Sequence, residues 1–142
     1  MSFTVETIKL KPNASPTLHM ATFYMASLRD ADLSYIDLDG ENFMYADLRG
    51  ATLRGASIRG ANLYYADLRG ADLSDSDLSG SYLQWAKLQN ANLSHADCTG
   101  AVLDGASVHN ADVTGTQFAL AATYDIRGWA FVRKMVSIMQ PY

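Results

Sequence analysis

From residue 16 to residue 120 the apolar positions recur every five residues, and within each unit they fall two apart. The stretch divides into 21 consecutive pentapeptides without an insertion, for example Ala46-Asp47-Leu48-Arg49-Gly50 and Ala66-Asp67-Leu68-Arg69-Gly70. The third position is Leu in 14 units and Phe, Ile, Val or Cys in the other seven; the first is Ala in 15. The second is Asp, Asn, Ser or Thr in 17 units, and Gly is common at the fifth. A period of five fits neither a helix at 3.6 nor a plain strand at 2, so the chain must turn after every unit. Positions one and three then point to one inner side, and positions two, four and five face water. Successive coils pair their backbones as a parallel sheet, with the polar second position and the glycine supplying the turn chemistry.

On these A(D/N)LxG motifs the sequence resembles the pentapeptide-repeat proteins over about three quarters of the chain. The resemblance implies an all-β fold, a right-handed quadrilateral parallel β-helix with four pentapeptides per coil. Periodicity alone gives the five-residue side, not the number of sides. Four sides make a 20-residue coil, about five coils, and a rod roughly 25 Å long at about 4.8 Å per coil.

With four sides, residues 20 apart stack, and each face can be read as a column. One face carries Arg29, Arg49, Arg69, Gln89 and His109 at the fourth position beside Asp30, Asp47 and Asp67, a mixed-charge ladder. A second presents Tyr24, Met44 and Tyr64 at the fourth position, Met25, Tyr45, Tyr65 and Trp85 at the fifth, and Tyr82 at the second. The remaining two adjoin each other and are rich in carboxylates: Asp37, Asp39, Asp77 and Asp97 on one, Asp32, Asp72, Asp75 and Asp112 on the other, against only Arg54 and Arg59. Aspartate at the second position also has a purely structural reading, because its side chain can bond the turn backbone. An aromatic row facing water has one too, as a set of cross-strand stabilisers. Its size nevertheless marks a contact surface, for which Tyr24, Tyr45, Tyr64, Tyr65, Tyr82 and Trp85 are the candidates.

A parallel β-helix exposes unpaired edges at both ends. Residues 3–10 read as a strand or hook over the first coil, with Lys9, Lys11 and Pro12 as edge blockers. The pentapeptide register ends after Leu120, and residues 123–139 read as a helix before Pro141. Residues 1–15 are thus a capping segment, 16–120 the β-helix, and 121–142 a C-terminal α-helical cap. On a helical wheel Trp129, Phe131, Val132, Met135, Val136, Ile138 and Met139 fill an arc of about 180°, wider than a one-sided cap requires. That width points to a two-fold homodimer through this helix. The resemblance points the same way, since members that block DNA topoisomerases dimerise through their C-terminal end.

Composition removes several classes. The 142 residues are 49% hydrophobic and 18% charged, with a mean hydropathy of -0.06. The longest apolar runs are about five residues against the roughly 20 that span a bilayer, so no membrane segment is expected. No signal peptide is read at the N-terminus, which makes the cytoplasm the expected location. The lone Cys98 excludes an internal disulfide and a cysteine zinc cluster, and as a third-position residue it reads as a small buried hydrophobe without a redox role. His95 lies beside Ser94 and Asp97, but a convex coil offers no cleft to exclude water, so no catalytic residue is assigned. No metal site or cofactor is assigned either, since no compact ligand cluster occurs. Two inward positions break the motif: Glu41, which must bend outward or find a partner, and Ile36, oversized enough to widen its coil.

The net charge is -4 overall, and -7 over residues 16–120. That balance argues against direct nucleic-acid binding. It suits a non-enzymatic protein that imitates duplex DNA and occupies the DNA-binding groove of a nucleic-acid enzyme, with Asp stacked about every 4.8 Å as a negative stripe. The resemblance implies gyrase or topoisomerase as partner, or a phage-type inhibitor of CRISPR or restriction complexes. The alternatives are a protein adaptor using the aromatic face and a rigid spacer with no ligand.

Overall fold

A computed structural model of the protein describes residues 23–128. Within them the second residue of each pentapeptide pairs in parallel with the residue 20 further on, as in Asp32 with Thr52, Asp37 with Ser57, Asn42 with Asn62 and Asp47 with Asp67. The four ladders so formed are the four sides of a β-helix, which fixes the number of sides that periodicity left open. Going round a coil, the mixed-charge face is followed by the Asp32 face, the Asp37 face and the aromatic face.

Three hydrogen bonds repeat along the rod. The third-position N–H donates to the second-position carbonyl one coil ahead, as from Leu28 to Asp47 (2.8 Å), and the fifth donates to the fourth, as from Asp30 to Arg49 (2.9 Å). The second-position N–H donates back to the first position of the preceding coil, as from Asp47 to Ala26 (2.9 Å). Most corners are closed by the first-position N–H on the third-position carbonyl behind it, as from Ala31 to Leu28 (3.1 Å); the corners before Ile36 and Ile126 lack this bond. This is a four-residue turn whose second central residue, the fifth of the pentapeptide, has positive φ, the signature of a type II turn. All 21 fifth positions from Met25 to Asp125 sit there; nine are Gly and twelve are not.

The bore is filled by the first and third positions, nearly all of them buried. Phe23 and Phe43 stack face to face inside it with centroids 4.6 Å apart. Ile36 is buried and keeps its place in the ladder, where its carbonyl accepts the Ser57 N–H at 2.9 Å, but its own N–H does not make the corner bond to Leu33. Glu41 does not bend outward; it stays inside at 5% exposure and is not without a partner. Ser76 and Thr116, inward hydroxyls, donate to the Leu73 and Leu93 carbonyls, whereas the buried Ser81 hydroxyl has no partner.

The C-terminal reading needs correction. The register does not end at Leu120: Ala122 pairs with Val102 and Arg127 with Ser107, and Ile126 packs on the core. Residues 123–128 are therefore coil rather than the start of a helical cap, and no helix occurs among the described residues. The motif fades because Thr123 replaces the large third residue, but the ladder is made by backbone groups and Ala121 and Ile126 still suit the inner position. The proposed dimer residues, Trp129, Phe131, Val132, Met135, Val136, Ile138 and Met139, lie outside the described residues, as does the 3–10 hook.

Left-handed backbone costs an L-residue roughly 1–2 kcal/mol. Gly40 has φ +69° and nothing within 4 Å of where a Cβ would stand; Gly55 has φ +63° and the Tyr35 ring 2.6 Å from that point. Gly40→Ala should lower stability by about 1 kcal/mol. Gly55→Ala should lose roughly 0.5 kcal/mol more as the ring is displaced, and urea unfolding of the two variants reads the difference.

Candidate binding faces

The second-position Asp and Asn residues hold the turns. In all eleven described cases the side-chain Oδ1 accepts the backbone N–H two residues on: from Asp32, Asp37, Asn42, Asp47 and Asn62 through Asp67, Asp72, Asp77 and Asn92 to Asp97 and Asp112, at 2.8–3.3 Å. The structural reading of these carboxylates is thus correct, and the bond also fixes their rotamers. Asp32 is held below the usual 3.8 by the Ser34 hydroxyl and then the Ser34 N–H, and Asp112 by the Thr114 N–H.

Pairing thins the expected acidic array. Arg59 forks onto Asp39, which also accepts from the Ser57 hydroxyl (2.7 Å) and the Arg59 N–H (2.9 Å). Burial pushes the Asp39 carboxyl up, but these bonds outweigh it and the group lies low. Arg59 also approaches Asp77 at 3.9 Å, and Arg54 approaches Asp75 at 3.4 Å. Asp32, Asp37, Asp72, Asp97 and Asp112 have no ion-pair partner among the described residues. On the Asp32 face the column runs Asp32, Thr52, Asp72, Asn92, Asp112, so its carboxylates fall at every second coil rather than at each one.

On the mixed-charge face Arg49 forks onto Asp47 (2.7 and 2.6 Å) and Arg69 onto Asp67 (2.7 and 2.7 Å). These pairs neutralise each other on the rod. The Arg49 bond lowers Asp47; at Asp67 burial acts upward and the Arg69 bonds bring it down.

The aromatic face is assembled as the column reading expects. Tyr45 and Tyr65 stack at 5.3 Å with planes 3° apart, and Trp85 continues the pile at 6.3 Å. Tyr24 meets Tyr45 edge-on at 6.2 Å and Tyr64 meets Tyr65 edge-on at 4.7 Å. Trp85 lies over Gly105, where a Cβ would be 2.6 Å from the ring, and the Arg127 guanidinium stands 6.0 Å from its centroid. Tyr45, Tyr65, Tyr82 and Trp85 remain 38–49% exposed. Beside the pile an open groove of about 370 Å³ is lined by Met44, Gly60, Asn62, Tyr64, Tyr82 and Gln84. Column reading did not find this groove, because Gly60 belongs to the neighbouring face and Gln84 looks like ordinary surface. Arg127 escapes the column reading, which ends the register at Leu120.

Among the described residues there is no group of His, Cys, Asp and Glu able to hold a metal ion, and no helix long and apolar enough to cross a membrane. Cys98 is fully buried, and burial, with Asp97 and Asp77 nearby, pushes its thiol up to about 12.

A family model described as pentapeptide repeats matches residues 26–63, 42–80 and 81–118, with 8 copies. The chain belongs to the pentapeptide repeat family. The right-handed quadrilateral β-helix is that family's fold. Among solved structures, the pentapeptide repeat protein Rfr23 from the cyanobacterium Cyanothece 51142 is 31% identical, with a TM-score of 0.53, over 68% of this chain and 63% of Rfr23. A pentapeptide repeat protein of the Arabidopsis thaliana thylakoid lumen is 35% identical, with a TM-score of 0.37, over 63% of this chain and 59% of its own. The plasmid-mediated fluoroquinolone resistance protein QnrB1 is 18% identical, with a TM-score of 0.41, over 82% of this chain and 72% of its own. This chain thus spans less than two thirds of Rfr23 and of the thylakoid protein. No curated protein matches it.

Because Asn already fills the Asp role at positions 42, 62 and 92, Asp97→Asn should leave stability within about 0.5 kcal/mol, whereas Asp97→Ala should cost about 1 kcal/mol in urea unfolding. The shifted carboxyls, Asp32, Asp39, Asp47, Asp67 and Asp112, all move down from 3.8. Their folded forms bind protons less readily than the unfolded chain, so their contribution is complete above that value. It is lost as pH falls through the lower folded values. An acid titration followed by circular dichroism should show stability level down to about pH 5 and falling below about pH 4.

Proposed function

We propose that this pentapeptide repeat protein is a non-enzymatic binding rod whose aromatic face is its contact surface for a protein partner. The observation that carries this reading is the placement of Tyr45, Tyr65 and Trp85 at fifth positions, with φ 57–59°. Glycine holds the same turn without strain at nine other corners. Three bulky rings in successive coils of one column therefore each accept a cost of roughly 1–2 kcal/mol, part of which their stacking returns. Persistent local strain at an exposed, pre-ordered aromatic surface is what a binding site has and a plain spacer lacks.

A second reading, charge mimicry of duplex DNA toward a gyrase, a topoisomerase or a phage-type target, has support of its own. Asp32, Asp37, Asp72, Asp77, Asp97 and Asp112 are held in fixed rotamers on two adjoining faces. Their density favours the aromatic reading. Six charges over five coils of about 4.8 Å give one per roughly 4 Å, against one per about 1.7 Å of duplex.

Replacing Tyr45, Tyr65 and Trp85 together with Gly removes the rings while keeping a residue that suits the turn. The variant should fold with an unchanged circular dichroism spectrum and lose the partner that the native rod captures from its host's lysate. Changing the six aspartates to Asn keeps the turn bonds and removes six charges; capture should persist. If the Asn variant loses capture and the Gly variant keeps it, the aromatic reading is wrong and mimicry takes its place.

A further inference from the structure

The groove beside the aromatic pile has features that the pile alone does not need. Its lining includes two tyrosines, Tyr64 and Tyr82, and Met44. Gln84 also lines the groove, and its side-chain oxygen, closed off from solvent in the unliganded rod, accepts no hydrogen bond. The Asn62 oxygen is already taken by the Tyr64 N–H at 3.1 Å. The site thus offers π faces and one unsatisfied acceptor, a combination that favours a cationic donor.

Charge around the groove has the matching sign. The described part of the aromatic face carries Asp104 and Asp125 and no Lys or Arg. The Asp37 face adjoins it at the Gly60 corner with Asp37, Asp77 and Asp97. Arg59, next to Gly60 in the chain, is spent on Asp39 with Asp77 at 3.9 Å. The same face already receives a guanidinium of the chain's own, Arg127 over Trp85.

We propose that this groove is a seat for an arginine side chain of a protein partner. The guanidinium lies against Tyr64 and Tyr82 and, as the Gln84 amide turns toward the groove, donates to its carbonyl oxygen, while the carboxylates of the adjoining face raise the local concentration of a basic segment. This rests on the aromatic face being the contact surface and adds which residue the partner presents there.

The test uses the full chain and two synthetic peptides, acetyl-GGRRGG-amide and its counterpart with citrulline, which is isosteric and neutral, at both arginines. Binding is followed by chemical shifts of the Gln84 side-chain amide and the Tyr ring protons. The arginine peptide should bind at least tenfold more tightly than the citrulline peptide. Gln84→Leu and Tyr82→Leu should each weaken it about fivefold with thermal unfolding unchanged. Equal binding of the two peptides overturns the proposal. So does arginine binding that survives both Leu variants but disappears in the six-Asn variant, since that places the cation on the acidic faces. If the three-Gly variant loses its lysate partner while Gln84→Leu keeps it, the aromatic reading stands and the arginine seat falls.

Discussion

The structure depends on a turn that must recur after every five residues with its fifth residue in the left-handed region. That one requirement squares the coil. It brings residues 20 apart into register, so that the ladder bonds at 2.7–3.1 Å close on both neighbours and the first and third side chains have nowhere to go but the bore. Backbone pairing alone does not set the corner, because a parallel ladder forms equally well along a straight strand. The corner is set by φ at one residue in five, reinforced by the Asx bond from the second position to the fourth. Glycine is the strain-free answer to the first demand and aspartate or asparagine to the second, which is why these residues dominate the repeat.

The same division of labour decides what the sequence reveals. The Ala and Leu positions facing inward up to residue 120 are legible, because these residues at fixed spacing have one physical reading; Phe23 and Phe43, 20 apart, stack as the column requires. The aromatic column was legible for the same reason: once the coil length is 20, Tyr45, Tyr65 and Trp85 have to be neighbours. What was not legible depends on a side chain's reach rather than on its column. Nothing in the letters says that Asp39 will pair with Arg59 of the next coil while Asp37, two residues before it, has no ion-pair partner among the described residues.

The C-terminal boundary was misread for an instructive reason. The motif was followed through its third-position letter, and Thr123 breaks it. The fold follows the backbone, and a ladder that has run for five coils offers residues 121–127 unpaired donors and acceptors to satisfy. Forming those bonds satisfies the backbone groups of the preceding coil, which a helix starting at 123 would leave to water. An apolar wheel over later residues carries no information about where the preceding ladder stops. Arg127 reaches Trp85 only because the coil continues that far.

Because the fold uses positions one, three and five and half of position two, the rest of the surface is free to vary without unfolding anything. Departures from the optimum at a structural position are therefore more informative than any surface charge. An aspartate at position two is fully explained by the turn it caps, so its charge is an inevitable by-product wherever Asn was not chosen instead. A tyrosine or tryptophan at position five has no such explanation, since it strains the corner that glycine would relax. Stacking returns part of that strain only where the same column repeats the choice, as at 45, 65 and 85. Tyr35 makes the point by contrast: it stands alone in its column, 71% exposed over Gly55, with no ring above or below it. Nine other corners also carry a residue other than glycine, without such a stack; bulky rings repeated through three successive coils and arranged beside a groove are organised around something outside the chain.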